Sequence, residues 1–150
     1  MSSALIEDMI EQHGYPVLTT ESIDGFLASH DDVVLFFTEN PQHFPESNDV
    51  AVILPELVRY FGGRLSAAVI DTVSERELYR RYNFTAWPSL VFLRRGDYLG
   101  TISRVQDWQV YTREIDTLLT SPPRPAPHPQ VPIIPESKTD MQQAQAREMV

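Results

Sequence analysis

The stretch Thr-Ala-Trp-Pro-Ser-Leu-Val-Phe-Leu at residues 85–93 constrains the fold more than any other part of this chain. It ends in an apolar strand pattern that is entered through the X-Pro pair Trp87-Pro88. Arg-Gly-Asp at residues 95–97 is typical of a hairpin turn, and residues 98–103 give a second strand pattern. The sequence therefore predicts an antiparallel β-hairpin whose first strand follows a proline.

Apolar runs and helical spacings alternate along the rest of the first 120 residues. The near-continuous apolar run at residues 33–38 is typical of a strand buried on both faces of an α/β sheet, and residues 65–71 give a second central strand. Residues 16–19 are expected to form a short edge strand. Helices are predicted over residues 3–13, after Thr20, over 50–61, from Ser74 to Tyr82 and from Asp107 to about Thr120. The predicted element order is αβαβαβαββα.

Local signals predict where helices begin and which faces they bury. Thr20 is the expected N-cap of the second helix, and Ser74 with Glu77 forms an expected capping box. The polar residues 39–49, with two prolines, are expected to form a loop. Trp108 is expected to pack inward from the last helix.

The composition changes beyond residue 120. Seven of the twelve prolines lie between residues 122 and 135, so this stretch is expected to be extended and to stay outside a core. We therefore expect two units, a folded domain over residues 1–120 and a Pro-rich, disordered and flexible tail over residues 121–150.

The acidic residues are distributed unevenly. Residues 1–58 contain eleven carboxylates and no lysine or arginine, whereas residues 59–120 contain nine arginines and seven acids. Such a field repels nucleic acid phosphates and attracts cationic partners. A solubilising acidic surface is the alternative interpretation. The absence of any base over 58 positions favours a binding role.

Several function classes are excluded or disfavoured. The chain has no cysteine, so it cannot perform thiol–disulfide exchange by itself. The four histidines show no metal-ligand spacing, and no phosphate-binding, dinucleotide or nucleophile-elbow motif is present. We therefore expect no catalytic residues, metal or cofactor. With no secretory signal and no apolar run long enough to span a membrane, a cytoplasmic location is expected.

The predicted elements resemble the thioredoxin fold with an extra N-terminal helix. The resemblance implies an α/β domain of three layers, αβα, with a mixed central sheet. It also implies a cis peptide bond between Trp87 and Pro88, a rare geometry for an X-Pro bond. In that fold, the loop before the long helix lies next to this X-Pro pair.

A more specific resemblance is to the HyaE/HupG family of nickel–iron hydrogenase expression and assembly accessory proteins. It covers about residues 3–120. The resembling segments are residues 33–37, Asn40-Pro41, Pro45-Glu46, Pro55-Glu56-Leu57, residues 84–92, residues 96–100 and Trp108. The resemblance implies a chaperone without redox activity that binds the small subunit precursor of the uptake hydrogenase, including its twin-arginine signal peptide, before export. Other hydrogenase accessory proteins are further possible partners.

Six residues form the candidate partner-binding site. Trp87 offers an apolar platform above Pro88, with Phe44 opposite; a core role for Trp87 is the equal alternative. Carboxylates on the adjoining loop are expected to meet the paired arginines of the peptide. These carboxylates are Glu39, Glu46 and Asp49. For Asp49 alone, a helix-cap role is an equally good interpretation.

Two functional interpretations remain open at this level. One is a chaperone that binds peptides and precursors in an acidic groove. The other is a structural subunit, or a redox relic whose partner supplies the thiols, in a thiol–disulfide or export-assembly complex. Neither interpretation involves nucleic acid or membrane insertion.

Overall fold

The computed structural model describes residues 4–39 and 45–126. Within them the element order αβαβαβαββα is confirmed. The elements are α1 (Ala4–His13), β1 (Val17–Leu18), α2 (Ile23–Ala28), β2 (Asp32–Phe37), α3 (Glu46–Tyr60), β3 (Ser66–Ile70), α4 (Thr72–Tyr82), β4 (Ser89–Arg94), β5 (Asp97–Ser103) and α5 (Trp108–Leu119). None of the helices in the described part of the chain has the length and apolar character needed to cross a membrane.

The five strands form one mixed sheet in the order β1-β3-β2-β4-β5. Strands β1 and β2 both run parallel to β3, whereas β4 is antiparallel to β2 and β5 is antiparallel to β4. The connection from β2 to β3 is long enough to carry α3 across the sheet, as parallel pairing requires. This is a thioredoxin-like arrangement, as predicted.

Alternating side chains of β2 show why both faces of the sheet are covered. Val34 and Phe36 pack in one buried cluster with side chains of α1, α3 and α5, and Val33, Leu35 and Phe37 pack in a second cluster with α2 and α4. Because successive side chains of a strand point to opposite faces, the molecule has three layers. The apolar run at residues 33–38 was therefore interpreted correctly.

The predicted hairpin is present, with Arg94 paired to Asp97. Its two central residues, Arg95 and Gly96, have φ of 52° and 86°. Positive φ at both positions gives the backbone twist that matches two antiparallel strands.

The predicted start of α3 was wrong. The helix begins at Glu46 rather than at residue 50. The Ser47 hydroxyl, fully buried, donates to the carbonyl of Thr38 at 2.6 Å and anchors this first turn to the end of β2. The turn has no apolar stripe, but carboxylates in a first turn are favoured by the helix dipole.

The predicted caps of α2 and α4 were also wrong. Thr19, not Thr20, exchanges hydrogen bonds with Ser22 at the start of α2. Helix α4 already begins at Thr72, and the Ser74 hydroxyl accepts the Thr20 N–H at 3.2 Å instead of capping its own helix.

The face predicted for Trp108 was wrong. Its side chain is 42% exposed and lies edge-on to Tyr60, with ring centroids 5.7 Å apart. Tyr111 fills the inward position instead and is fully buried.

Residues beyond α5 contact the domain. The Arg124 N–H donates to the carbonyl of Tyr98 at 2.9 Å, and its guanidinium Nε donates to the carbonyl of Leu99 at 3.0 Å. The chain at Ser121 is held in the same way by Arg94, which donates to its carbonyl at 3.0 Å. Contacts with β5 therefore continue past the expected boundary at residue 120. Residues 127–150 lie outside the described part, so the prediction of a flexible tail stays a prediction for them.

Candidate functional site

The bond between Trp87 and Pro88 is cis, as predicted. Helix α4 ends at Asn83, whose left-handed conformation turns the chain towards this pair. Pro88 is buried, and its carbonyl accepts the N–H of Arg104 at 2.7 Å. The pair therefore lies between the end of α4 and the end of β5.

The indole of Trp87 packs against the core and is also partly exposed to solvent. Its ring lies edge-on to Phe84 and Tyr79, at centroid distances of 5.0 and 5.3 Å. It packs against the buried cluster below α4, yet it is only half-buried. One side of the ring thus belongs to the core and the rest lines the surface.

Glu39 follows β2 and adopts the left-handed conformation, with φ of 53°. Its backbone N–H donates to both carboxylate oxygens of Glu75 at 3.0 Å, and the N–H of Thr38 donates to Glu75 Oε2 at 2.8 Å. Glu75, in the first turn of α4, therefore fixes the backbone that leads into the loop before α3.

Glu75 is an unusual carboxylate that the sequence analysis missed. Only 2% of it is exposed. Burial raises the pKa of Glu75 from 4.5 to about 7, against hydrogen bonds from Glu39, Thr38 and the Trp87 side chain that lower it. A signal existed, because Glu75 lies three and seven residues before the buried Leu78 and Tyr82 and so shares their helix face.

An open cavity of about 270 Å³ lies beside Trp87. Its walls come from α4, from the end of β2 and from the loop before β4. They are formed by Glu39, Glu75, Arg76, Tyr79, Arg80 and Trp87.

Glu46 is bound by Arg104, the residue whose N–H donates to the Pro88 carbonyl. The guanidinium Nε donates to Oε1 at 2.8 Å, and Nη2 donates to Oε2 at 2.7 Å. This bond to Arg104 is the main reason why the pKa of Glu46 falls from 4.5 to about 2. A carboxylate at this position therefore already binds a guanidinium in the fork geometry that such pairs prefer.

The remaining predicted residues differ in their placement. Asp49 is exposed inside α3, in the same turn as Glu46, so it does not cap the helix as the alternative interpretation required. Phe44 lies outside the described residues. The structure thus places Glu39 in the lining of the cavity beside Trp87, and Glu46 against Arg104, whose N–H donates to the Pro88 carbonyl. Asp49 lies in the same helical turn as Glu46.

The chain is similar to hydrogenase accessory proteins along most of its length. The model of the family described as "Hydrogenase-1 expression protein HyaE" matches residues 5–111. The hydrogenase expression/formation protein HoxO of Azotobacter vinelandii is 43% identical over 140 residues, which cover 93% of each chain. The hydrogenase expression/formation protein HupG of Rhizobium leguminosarum bv. viciae is 41% identical over 124 residues, covering 80% of this chain and 83% of that protein.

A solved structure agrees with this relationship. The crystal structure of a putative hydrogenase expression/formation protein HupG from Rhodopseudomonas palustris matches with a TM-score of 0.51 and 38% identity. The match covers 69% of this chain and 94% of that one. On the family model, the relatives and the shared fold, this thioredoxin-like chain belongs to the family of the hydrogenase-1 expression protein HyaE.

Proposed function

We propose that this protein acts in hydrogenase maturation as a non-catalytic cytoplasmic chaperone. Its ligand is the precursor of the hydrogenase small subunit, bound through the twin-arginine signal peptide before export. The names of its relatives, hydrogenase expression/formation proteins, support the maturation role. The site is the surface around Trp87 and Pro88, flanked by carboxylates.

The observation that carries the proposal is the bidentate pair between Glu46 and Arg104. It lies next to Pro88, whose carbonyl holds the Arg104 N–H. A guanidinium therefore occupies this site in the free protein, supplied by the chain itself. A signal peptide with two arginines presents the same group at the same carboxylates.

Charge and shape support the same partner. The carboxylates at residues 39, 46 and 49 belong to residues 1–58, which contain no lysine or arginine. The half-exposed Trp87 ring offers an apolar surface for side chains next to the arginines. A cationic peptide with apolar neighbours matches both properties.

Titration of a synthetic twin-arginine signal peptide over a salt series tests the proposal. We expect affinity to fall as salt rises, because the Debye length shortens to about 8 Å at physiological ionic strength. A peptide with paired lysines should bind more weakly, since lysine cannot form the bidentate pair. No binding, or an affinity independent of both salt and the arginines, would contradict the proposed function.

A further inference from the structure

The cavity beside Trp87 combines two carboxyl groups, those of Glu39 and Glu75, with aromatic walls. Glu75 forms its floor, pinned by the backbone N–H groups of Thr38 and Glu39. Tyr79 and Trp87 form the walls, with their rings inclined at 64°. The cavity is open to solvent and shares Trp87 with the surface where the proposed function places a peptide.

Charges of both signs line this cavity, and their freedom differs. Glu75 is buried, and Glu39 is half-buried on a backbone that Glu75 itself holds. Arg76 and Arg80 are exposed, and among the described residues neither belongs to an ion pair. Long exposed side chains can turn into solvent, whereas the carboxylates cannot leave. The charged groups that are fixed in place at this cavity are therefore the two carboxylates, whereas the two arginines can move away from a ligand.

We propose that this cavity binds the guanidinium of one arginine side chain of the partner. This inference rests on the proposed function and deepens it, because it assigns one of the two arginines to the α4 side of Trp87. The guanidinium lies against the Tyr79 and Trp87 rings and faces Glu75 and Glu39. Planar cations are attracted to aromatic faces within about 6 Å of the ring centroid.

The protonation state of Glu75 supports this assignment and predicts a measurable release of protons on binding. The groups that face Glu75 are Glu39 and Thr38 from the end of β2, Trp87 from the loop before β4, and Arg76, Tyr79 and Arg80 from its own helix. With its pKa raised to about 7, Glu75 is partly protonated at neutral pH. A bound cation favours the ionised form, so binding should release a proton.

Trp87 fluorescence tests the cavity directly. The chain has two tryptophans, and Trp108→Phe leaves Trp87 as the only one. The probes are N-acetylarginine amide and its uncharged isostere, N-acetylcitrulline amide. We expect a saturable change in Trp87 emission with the arginine probe alone. An equal response to citrulline, or a response only to N-acetylaspartate amide, overturns the assignment.

Variants of α4 distinguish a cation from an anion. Arg76→Gln with Arg80→Gln removes repulsion and should raise affinity for the arginine probe roughly threefold, the size of an exposed charge interaction. If the cavity instead binds anions, the same double variant should bind N-acetylaspartate amide more weakly than the unchanged protein does. Tyr79→Leu should weaken binding roughly fivefold through loss of one aromatic wall, and Tyr79→Phe should not.

Proton release provides an independent measurement on the full chain. Calorimetry at pH 7 in two buffers with different ionisation enthalpies should show release of about half a proton per bound signal peptide, as expected for a group with a pKa near 7. Glu39→Gln removes a neighbouring charge that raises the pKa of Glu75, so it should reduce the release, and Glu75→Gln should abolish it. Peptide binding without proton release and without a Trp87 response overturns the cavity but leaves the proposed function intact. Binding of the arginine probe without binding of the signal peptide would support the cavity assignment and contradict the proposed function.

Discussion

Arg104 and Glu46 are joined by two hydrogen bonds of 2.8 and 2.7 Å, and this pair connects the end of β5 to the first turn of α3. The backbone of Arg104 is held as well, since its N–H donates to Pro88 and its carbonyl accepts the Tyr111 hydroxyl at 3.1 Å. Glu46 is therefore already paired in the free protein, and this matters for the proposed binding of a cationic partner. A partner arginine must displace Arg104 in order to use this carboxylate.

This competition predicts that Arg104→Gln strengthens binding of a twin-arginine peptide. The pair is exposed and contributes little to stability, so freeing Glu46 for a partner guanidinium should raise affinity by roughly two- to fivefold. Arg95→Gln, which breaks the exposed pair between Arg95 and Asp31 in the hairpin, is the matched control and should leave affinity unchanged. Weaker binding after Arg104→Gln would show that the partner uses Arg104 itself rather than Glu46.

Replacing the three candidate carboxylates by their amides should weaken peptide binding and flatten its salt dependence. The variant is Glu39→Gln, Glu46→Gln and Asp49→Asn. None of the three carboxylates is fully buried, and each amide keeps the shape of the group it replaces, so the fold should survive. Titration calorimetry measures the affinity and its salt dependence, and circular dichroism shows whether the fold is intact.

A variant with equal loss of charge is the control for that measurement. It carries Glu77→Gln, Glu114→Gln and Asp116→Asn, all exposed and distant in sequence from the loop. We expect it to bind like the unchanged protein. If the first variant is folded and binds normally, the site lies elsewhere, with the acidic face of α1 around Glu7, Asp8 and Glu11 as the next candidate.

Glu75 should make the protein less stable as pH rises towards neutrality. Its folded pKa of about 7 lies above the usual 4.5, so the folded state binds the proton more tightly than the unfolded state does. The stabilisation is complete below pH 4.5 and is lost as pH rises to about 7. A shift of this size corresponds to a fall in the unfolding free energy on the order of 3 kcal/mol.

Urea unfolding of the unchanged protein and of Glu75→Gln between pH 4.5 and 8 checks this prediction. The unfolding free energy should fall with rising pH in the unchanged protein and should stay constant in Glu75→Gln. Glu46 titrates in another window, because its pKa of about 2 gives stability that is lost only below pH 4.5. Identical slopes in the two proteins would contradict the assignment to Glu75.

The parts of the fold predicted from sequence are those that local patterns determine. The run at residues 33–38 and the hairpin around Gly96 have strong apolar or turn signals, and the cis bond before Pro88 followed from the fold register. The first turn of α3 was missed because polar residues there give no helical periodicity. Its stability comes instead from the contact of Ser47 with Thr38.

The candidate site was only partly predictable, because it too depends on contacts between residues that are far apart in the sequence. Glu39, Glu46 and Trp87 could be predicted as candidates from residue type alone, because a binding site for a cationic peptide needs carboxylates and an apolar surface. Arg104 and Glu75 act through partners far along the chain: Arg104 is 58 residues from Glu46, and Glu75 is 37 residues from Thr38. These contacts form only once the strands have assembled in their final order, and that order cannot be read from any one segment of the sequence.

The last prediction concerns where the folded unit ends. Truncation after Ala126 should leave the melting temperature unchanged, because it keeps both hydrogen bonds of Arg124 to β5. Truncation after Ser121 removes these bonds, each contributing about 1 kcal/mol, and uncovers β5 at Leu99. The melting temperature should then fall by several degrees, since 1 kcal/mol corresponds to about 4–8 °C in a domain of roughly this size. Arg124→Ala in the full chain should give a smaller fall of the same sign. Calorimetric scans of the four proteins measure this, and equal melting temperatures for the two truncations would show that the folded unit ends at residue 120, as the sequence alone predicts.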